Sequence, residues 1–226
     1  MLSAAFLLSR KSRLPQPFPT EYNGEEKGGS TMRIALDLVI FICTALAWLA
    51  CFRSEEGWSR ENGLAALRYF TILSNLFCAL GSLALAIALL GGAAPRWVWL
   101  WKYVGTAAVT VTLLTVLIFL GPSVGYKELL SGRDLYLHLI GPLLAIVSFC
   151  FCERLYPLSF PLALTGLVPV ILYGSFYLYK VVLCPEEKRW EDFYGYNKNG
   201  KWPLSFAAMV IGGFLVCCAL WGLYRL

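Results

Sequence analysis

Tyr69-Phe70-Thr71-Ile72-Leu73-Ser74-Asn75-Leu76 opens an apolar run that continues to Leu90. The run is long enough to cross a bilayer as a helix, which needs about 20 apolar residues. In a helix, Thr71, Ser74 and Asn75 stand at i, i+3 and i+4 and share one face. Two hydroxyls and an amide at lipid depth need partners, because hydrocarbon offers none. The fold and the function both turn on what meets this face.

Working outward, runs of similar length recur along all 226 residues, and the composition agrees: 58% hydrophobic and 15% charged, against about 25% charged in a soluble domain. The reading is an all-α, polytopic membrane protein of six transmembrane helices over 32–226, in the order Ile34–Phe52, Leu67–Leu90, Trp97–Leu120, Leu135–Cys152, Phe160–Leu183 and Leu204–Leu223. Residues 1–31 read as a flexible or membrane-surface tail. An apolar start is followed by Arg10-Lys11-Ser12-Arg13, then by Pro15, Pro17, Pro19 and the Gly28-Gly29 pair, the reverse of the charge-first order of a signal peptide. Met32 directly precedes the first span as an alternative start.

The net charge of +5 is modest and does not describe a nucleic-acid surface. The eight cysteines fall in or beside apolar runs, with neither Cys-x-x-Cys nor histidine spacing, so they read as small apolar filler and not as a zinc site. No glycine-rich nucleotide loop follows a strand, and no metal or organic cofactor is expected. Trp97, Trp99, Trp101, Lys102 and Tyr103 read as an interfacial girdle. Asp37, one turn inside the first span, reads as paired or reaching the interface, with a functional role as the sharper alternative. Six spans put both termini on one side, and Arg10, Lys11, Arg13 and Arg33 ahead of the first span favour the inside.

The lone histidine, His138, lies about three residues into the fourth span and Thr71 about four into the second. The two spans run in the same direction, so both residues sit roughly 5–6 Å below one face at 1.5 Å per residue. If the helices adjoin, the imidazole can take the threonine proton and return it to a leaving alkoxide. Ser74, Asn75, or a hydroxyl from Tyr173 or Tyr177 would then supply an oxyanion contact. The plainer reading is a Thr–Asn–His cluster that fastens helices together. Pro142, four after His138, is expected to free a carbonyl or bend the helix there, and Pro169 to kink the fifth span.

The Tyr69–Leu76 stretch, with His138 and then Pro142, resembles the bacterial branch of the androgen-induced/androgen-dependent membrane protein family, over roughly residues 33–224. That resemblance implies a six-helix bundle. Animal members are threonine hydrolases that cleave fatty acid esters of hydroxy fatty acids, with a threonine on one helix and a histidine on a later one. Thr71 matches the first and His138 the second. The four-residue step from His138 to Pro142 is slightly shorter than in the animal proteins, and residues 1–31 lie outside the resemblance. It implies a lipid ester hydrolase in a bacterial plasma membrane, with long-chain fatty acyl esters as substrate. A membrane acyltransferase using the same pair is one alternative. A small transporter with Asp37 and Pro169 on its route, or a scaffold without chemistry, are the others.

Overall fold

The computed structural model describes residues 27–226 except residue 56. Six helices are long and apolar enough to cross a membrane: α1 (Ser30–Phe52), α2 (Phe70–Leu90), α3 (Arg96–Val124), α4 (Gly132–Cys152), α5 (Phe160–Leu183) and α6 (Trp202–Tyr224). The expected all-α architecture of six spans is therefore present. Expectations for residues 1–26 lie outside the described residues. The helix that contains α1 begins at Lys27, so residues 27–31 are helical and not irregular tail. Extending a formed helix costs far less than starting one, which carries it through Gly28-Gly29.

The helix ends follow local chemistry. Between α1 and α2 the chain makes a two-residue hairpin, Arg53–Ser54 against Gly57–Trp58. A short helix, Arg60–Ala65, follows, and the Ser59 side chain caps it by accepting from the Asn62 N–H at 3.2 Å. α3 runs past Gly121-Pro122, where the apolar run suggested a stop. A π turn over Val116–Leu120 precedes the proline, and the wider turn absorbs its missing N–H and ring clash. The same device recurs in α4, where a π turn over Tyr136–Ile140 precedes Pro142. In α5, a 3₁₀ turn over Leu164–Gly166 comes just before Pro169.

Packing makes α3 the central helix, with α2, α4, α5 and α6 around it, while α1 packs on α2 and α4. That corrects the interfacial-girdle expectation. Trp99, Lys102 and Tyr103 are fully buried and only Trp97 is strongly exposed. Positions 99, 102, 103, 106 and 110 share one helical face, and here it points into the bundle. Trp99, Tyr103, Phe149 and Tyr224 form an aromatic centre, with ring centroids 5.2–6.0 Å apart. α2 and α3 approach so closely at Gly105 that a Cβ there would stand 2.6 Å from the Cys78 Cα; small residues permit such contacts between membrane helices.

With six passes, the start of α1 and the end of α6 share one face, called here the terminal face. The opposite, loop face carries residues 53–69, 125–131 and 184–201. The last of these folds back over the bundle. Asp192 organises it, accepting the Tyr196 and Asn197 N–H groups at 2.7 Å each and the Tyr177 hydroxyl at 3.1 Å. Tyr173, Tyr177, Trp190, Phe193 and Tyr194 then form a continuous aromatic cap.

Candidate functional site

The loop-face site begins with the N-terminus of α2. Phe70 is the first helical residue and Tyr69 gives it no side-chain cap. The Ile72 and Leu73 N–H groups donate to the Tyr69 carbonyl at 3.1 and 3.2 Å, while the N–H groups of Phe70 and Thr71 precede the first residue that can bond back within the helix. The Phe70 N–H donates 3.0 Å to the Tyr194 hydroxyl from the aromatic cap. The hydroxyls of Thr71 and Tyr173 adjoin the same phenol. Enclosure raises the Tyr194 hydroxyl from an ordinary 10.0 to about 12, with burial the main cause and the Phe70 N–H acting in opposition.

One turn deeper, Asn75 ties α2 to α4. Its amide nitrogen donates to the Thr71 carbonyl at 2.8 Å and to the Leu137 carbonyl at 3.0 Å. The side-chain oxygen of Asn75 faces Gly141, where a Cβ would meet it at 3.2 Å. Ser74 donates to the Thr71 carbonyl at 3.2 Å and shares a 2.9 Å bond with the Thr112 hydroxyl of α3. Tyr136 reaches the Ile40 carbonyl of α1 at 3.1 Å and receives the Thr44 hydroxyl at 3.2 Å.

His138 is buried, 9% exposed, inside the π turn ahead of Pro142. Its Nδ1 lies 2.7 Å from the Leu129 carbonyl. A carbonyl only accepts, so Nδ1–H is the donor in this contact, and a neutral ring in this tautomer has its lone pair on Nε2.

These contacts sort the expected site residues. Asn75 links the Thr71 carbonyl to the residue before His138, so the two sit on adjoining helices at one level. Among the described residues no hydrogen bond joins Thr71 to His138. The expected oxyanion donors are otherwise engaged. Both Asn75 N–H groups hold backbone carbonyls, and Ser74 is bonded to α2 and α3. The Tyr173 hydroxyl donates to the Arg68 carbonyl at 2.6 Å and that of Tyr177 to Asp192. Beside them, the Phe70 N–H at the start of α2 is held by the Tyr194 hydroxyl. Tyr194 is 124 residues from its Phe70 partner, a pairing that no local spacing signals.

An apolar groove of about 350 Å³ starts beside Thr71, at Phe70, Ser74 and Tyr173, and runs along Leu73, Phe77, Leu172 and Phe176 to the outside of α2 and α5. Pro169 lines it, so Pro169 and Asp37 belong to different features, and Asp37 is wholly buried. A larger depression of about 600 Å³, lined by Ser54, Glu55, Trp58, Ser59 and Asn62, lies on the α1–α2 connection, and neither Thr71 nor His138 lines it.

The second polar site lies toward the terminal face. Lys102 donates to Asp37 and, at 2.7 Å, to the Ser82 hydroxyl, and stands 3.6 Å from Glu153. Ser148 donates to the same Glu153 oxygen. The side chains of Asp37, Lys102 and Glu153 are all 0% exposed. The pairing expected for Asp37 is thus present, with a partner read from the sequence as interfacial. Glu153 directly follows α4.

Among the described residues no group of three His, Cys, Asp or Glu side chains is placed to hold a metal ion. All eight cysteines are free thiols. No protein-family model, curated protein or solved structure matches this chain.

Proposed function

We propose that this polytopic membrane protein is a lipid ester hydrolase of the kind its resemblance implies, acting on long-chain fatty acyl esters such as fatty acid esters of hydroxy fatty acids. The observation that carries the reading is the state of His138. Its Nδ1–H is held by the Leu129 carbonyl, leaving Nε2 as a base in a helix that Asn75 fastens level with Thr71. The apolar groove lined by Phe70 and Ser74 supports it, since an acyl chain lying there would end at the helix turn that carries Thr71.

In this mechanism Nε2 takes the Thr71 proton as the hydroxyl oxygen attacks the ester carbonyl. The Phe70 and Thr71 N–H groups, at the positive end of the helix dipole, meet the oxyanion once the Tyr194 hydroxyl withdraws from Phe70. The imidazolium then protonates the leaving alkoxide, and water releases the acyl group from Thr71. The reading requires the Thr71 hydroxyl to leave Tyr194 and close on His138 when substrate arrives; catalytic hydrogen bonds commonly tighten only in the complex. The positive cluster before α1 favours a cytoplasmic terminal face in a bacterial plasma membrane.

A fluorophosphonate probe on the purified full-length protein tests the assignment. Labelling disappears in Thr71→Ala and His138→Ala and survives in Ser74→Ala. Labelling that persists in Thr71→Ala, or a wild type that neither labels nor cleaves an acyl ester, overturns it. The groove faces lipid, so a lipid alcohol reaches the acyl group by the same route. Acyl transfer is the second reading, and product analysis with and without added lipid alcohol separates the two.

A further inference from the structure

The Asp37–Lys102–Glu153 cluster has no part in that chemistry, and its charges do not sum to zero. Two carboxylates face one ammonium, and no surface of the three side chains reaches solvent. A net buried charge is severely penalised. The hydrogen bonds are also incomplete in a specific way. Lys102 and the two serines engage Asp37 Oδ1 and Glu153 Oε1, directly or through Lys102, while Asp37 Oδ2 and Glu153 Oε2 are buried with no hydrogen-bond partner among the described residues. The two carboxyl groups lie against the same Lys102 ammonium, Glu153 at 3.6 Å and Asp37 in direct contact. Among the other described groups near the cluster, Cys78 on α2 is a thiol, the Arg154 Nε donates to the Cys150 carbonyl, and the Arg33 Nε donates to the Cys152 carbonyl.

We propose that Asp37 and Glu153 together bind one exchangeable proton, forming with Lys102 a proton-binding site in the terminal-face half of the membrane domain. The proton comes from water and adds to a carboxylate oxygen, making an acid–carboxylate pair whose O–H bridges the two carboxyl groups. One added proton brings the three charges to zero and gives the bare oxygens a shared hydrogen bond. Two carboxylates this close do not both stay ionised. Glu153, the first residue after α4, is the member through which the proton exchanges with the terminal face.

Infrared spectroscopy of the full-length protein in lipid nanodiscs tests this directly. The wild type is expected to show a protonated-carboxyl C=O band at neutral pH, where surface carboxylates are ionised, and the band shifts on transfer to deuterated water. Asp37→Asn and Glu153→Gln each remove it. If either variant fails to fold, the wild-type spectrum and its deuterium shift still decide. Absence of the band across the pH range in which the wild type is folded overturns the proposal. So does a band unchanged in both variants, one that never exchanges deuterium, or one that appears only when sodium is withdrawn, since the last identifies a cation site.

Discussion

The two ends of this bundle bury polar groups by opposite means. Inside the loop face most side-chain hydrogen bonds run to backbone carbonyls: Asn75 to Thr71 and Leu137, His138 to Leu129, Tyr173 to Arg68. Each such bond leaves its side chain with an unused atom or lone pair, as at His138 Nε2. At the terminal face the groups are ionisable and hold one another: Lys102 with Asp37, Ser82 and Glu153. Losing Lys102 there strands carboxylate charge with nothing to replace the ammonium. The difference predicts that the terminal face governs whether the protein folds and the loop face governs what it does.

The largest effect follows from removing the shared cation. Lys102→Met leaves two carboxyl groups without their ammonium and should destabilise the fold by about 3–5 kcal/mol, the range for breaking a buried ion pair from one side. Denaturant unfolding in detergent micelles measures it. Asp37→Asn combined with Lys102→Met should recover part of the loss, because the stranded charge goes with it. A Lys102→Met protein that unfolds like the wild type would erase the contrast between the two ends.

At the loop face the expected signature is reversed. Thr71→Ala and His138→Ala should lower ester cleavage by about 10²–10⁴-fold, the usual worth of nucleophile and general-base chemistry, while Thr71→Ala shifts unfolding by only about 1 kcal/mol or less. Asn75→Ala lies between the two. It releases the Thr71 and Leu137 carbonyls and should cost about 1–3 kcal/mol, with turnover falling because the helices carrying Thr71 and His138 lose their tie. An Asn75→Ala enzyme with full turnover and reduced stability would reduce the amide to a structural fastener.

What the sequence disclosed follows the same division. The six spans were legible because runs of about 20 apolar residues have few other uses. Thr71, Asn75 and His138 stood out because each interrupts such a run, and their depth could be counted from the span ends. Lys102 and Glu153 were hidden by lying near ends of runs, where charged side chains ordinarily reach water. Only knowing that α3 is central, which depends on packing against four other helices, turns Lys102 inward. Tyr194 was hidden by distance: the loop that carries it is polar and rich in turns, and nothing local indicates that it returns to the first amide of α2.

The smallest effect concerns that return. The loop face is closed by a phenol, and a phenol can be titrated. Tyr194 is raised from 10.0 to about 12 in the folded protein, mainly by burial, and Tyr196 is raised by burial to about 12. A raised acid favours its neutral form in the folded state. The stabilisation is therefore complete below pH 10 and lost as pH climbs through about 12. Proteolysis of the 184–201 loop should then become faster between those values in the wild type. Tyr194→Phe should shrink this rise, and Tyr194→Phe with Tyr196→Phe should remove it, while loss of the acceptor for the Phe70 N–H costs about 0.5–1.5 kcal/mol at every pH. An equal alkaline rise in the double variant would mean that the cap opens for another reason, and the loop-face end of the bundle would then owe its closure to packing and not to the Tyr194 hydroxyl.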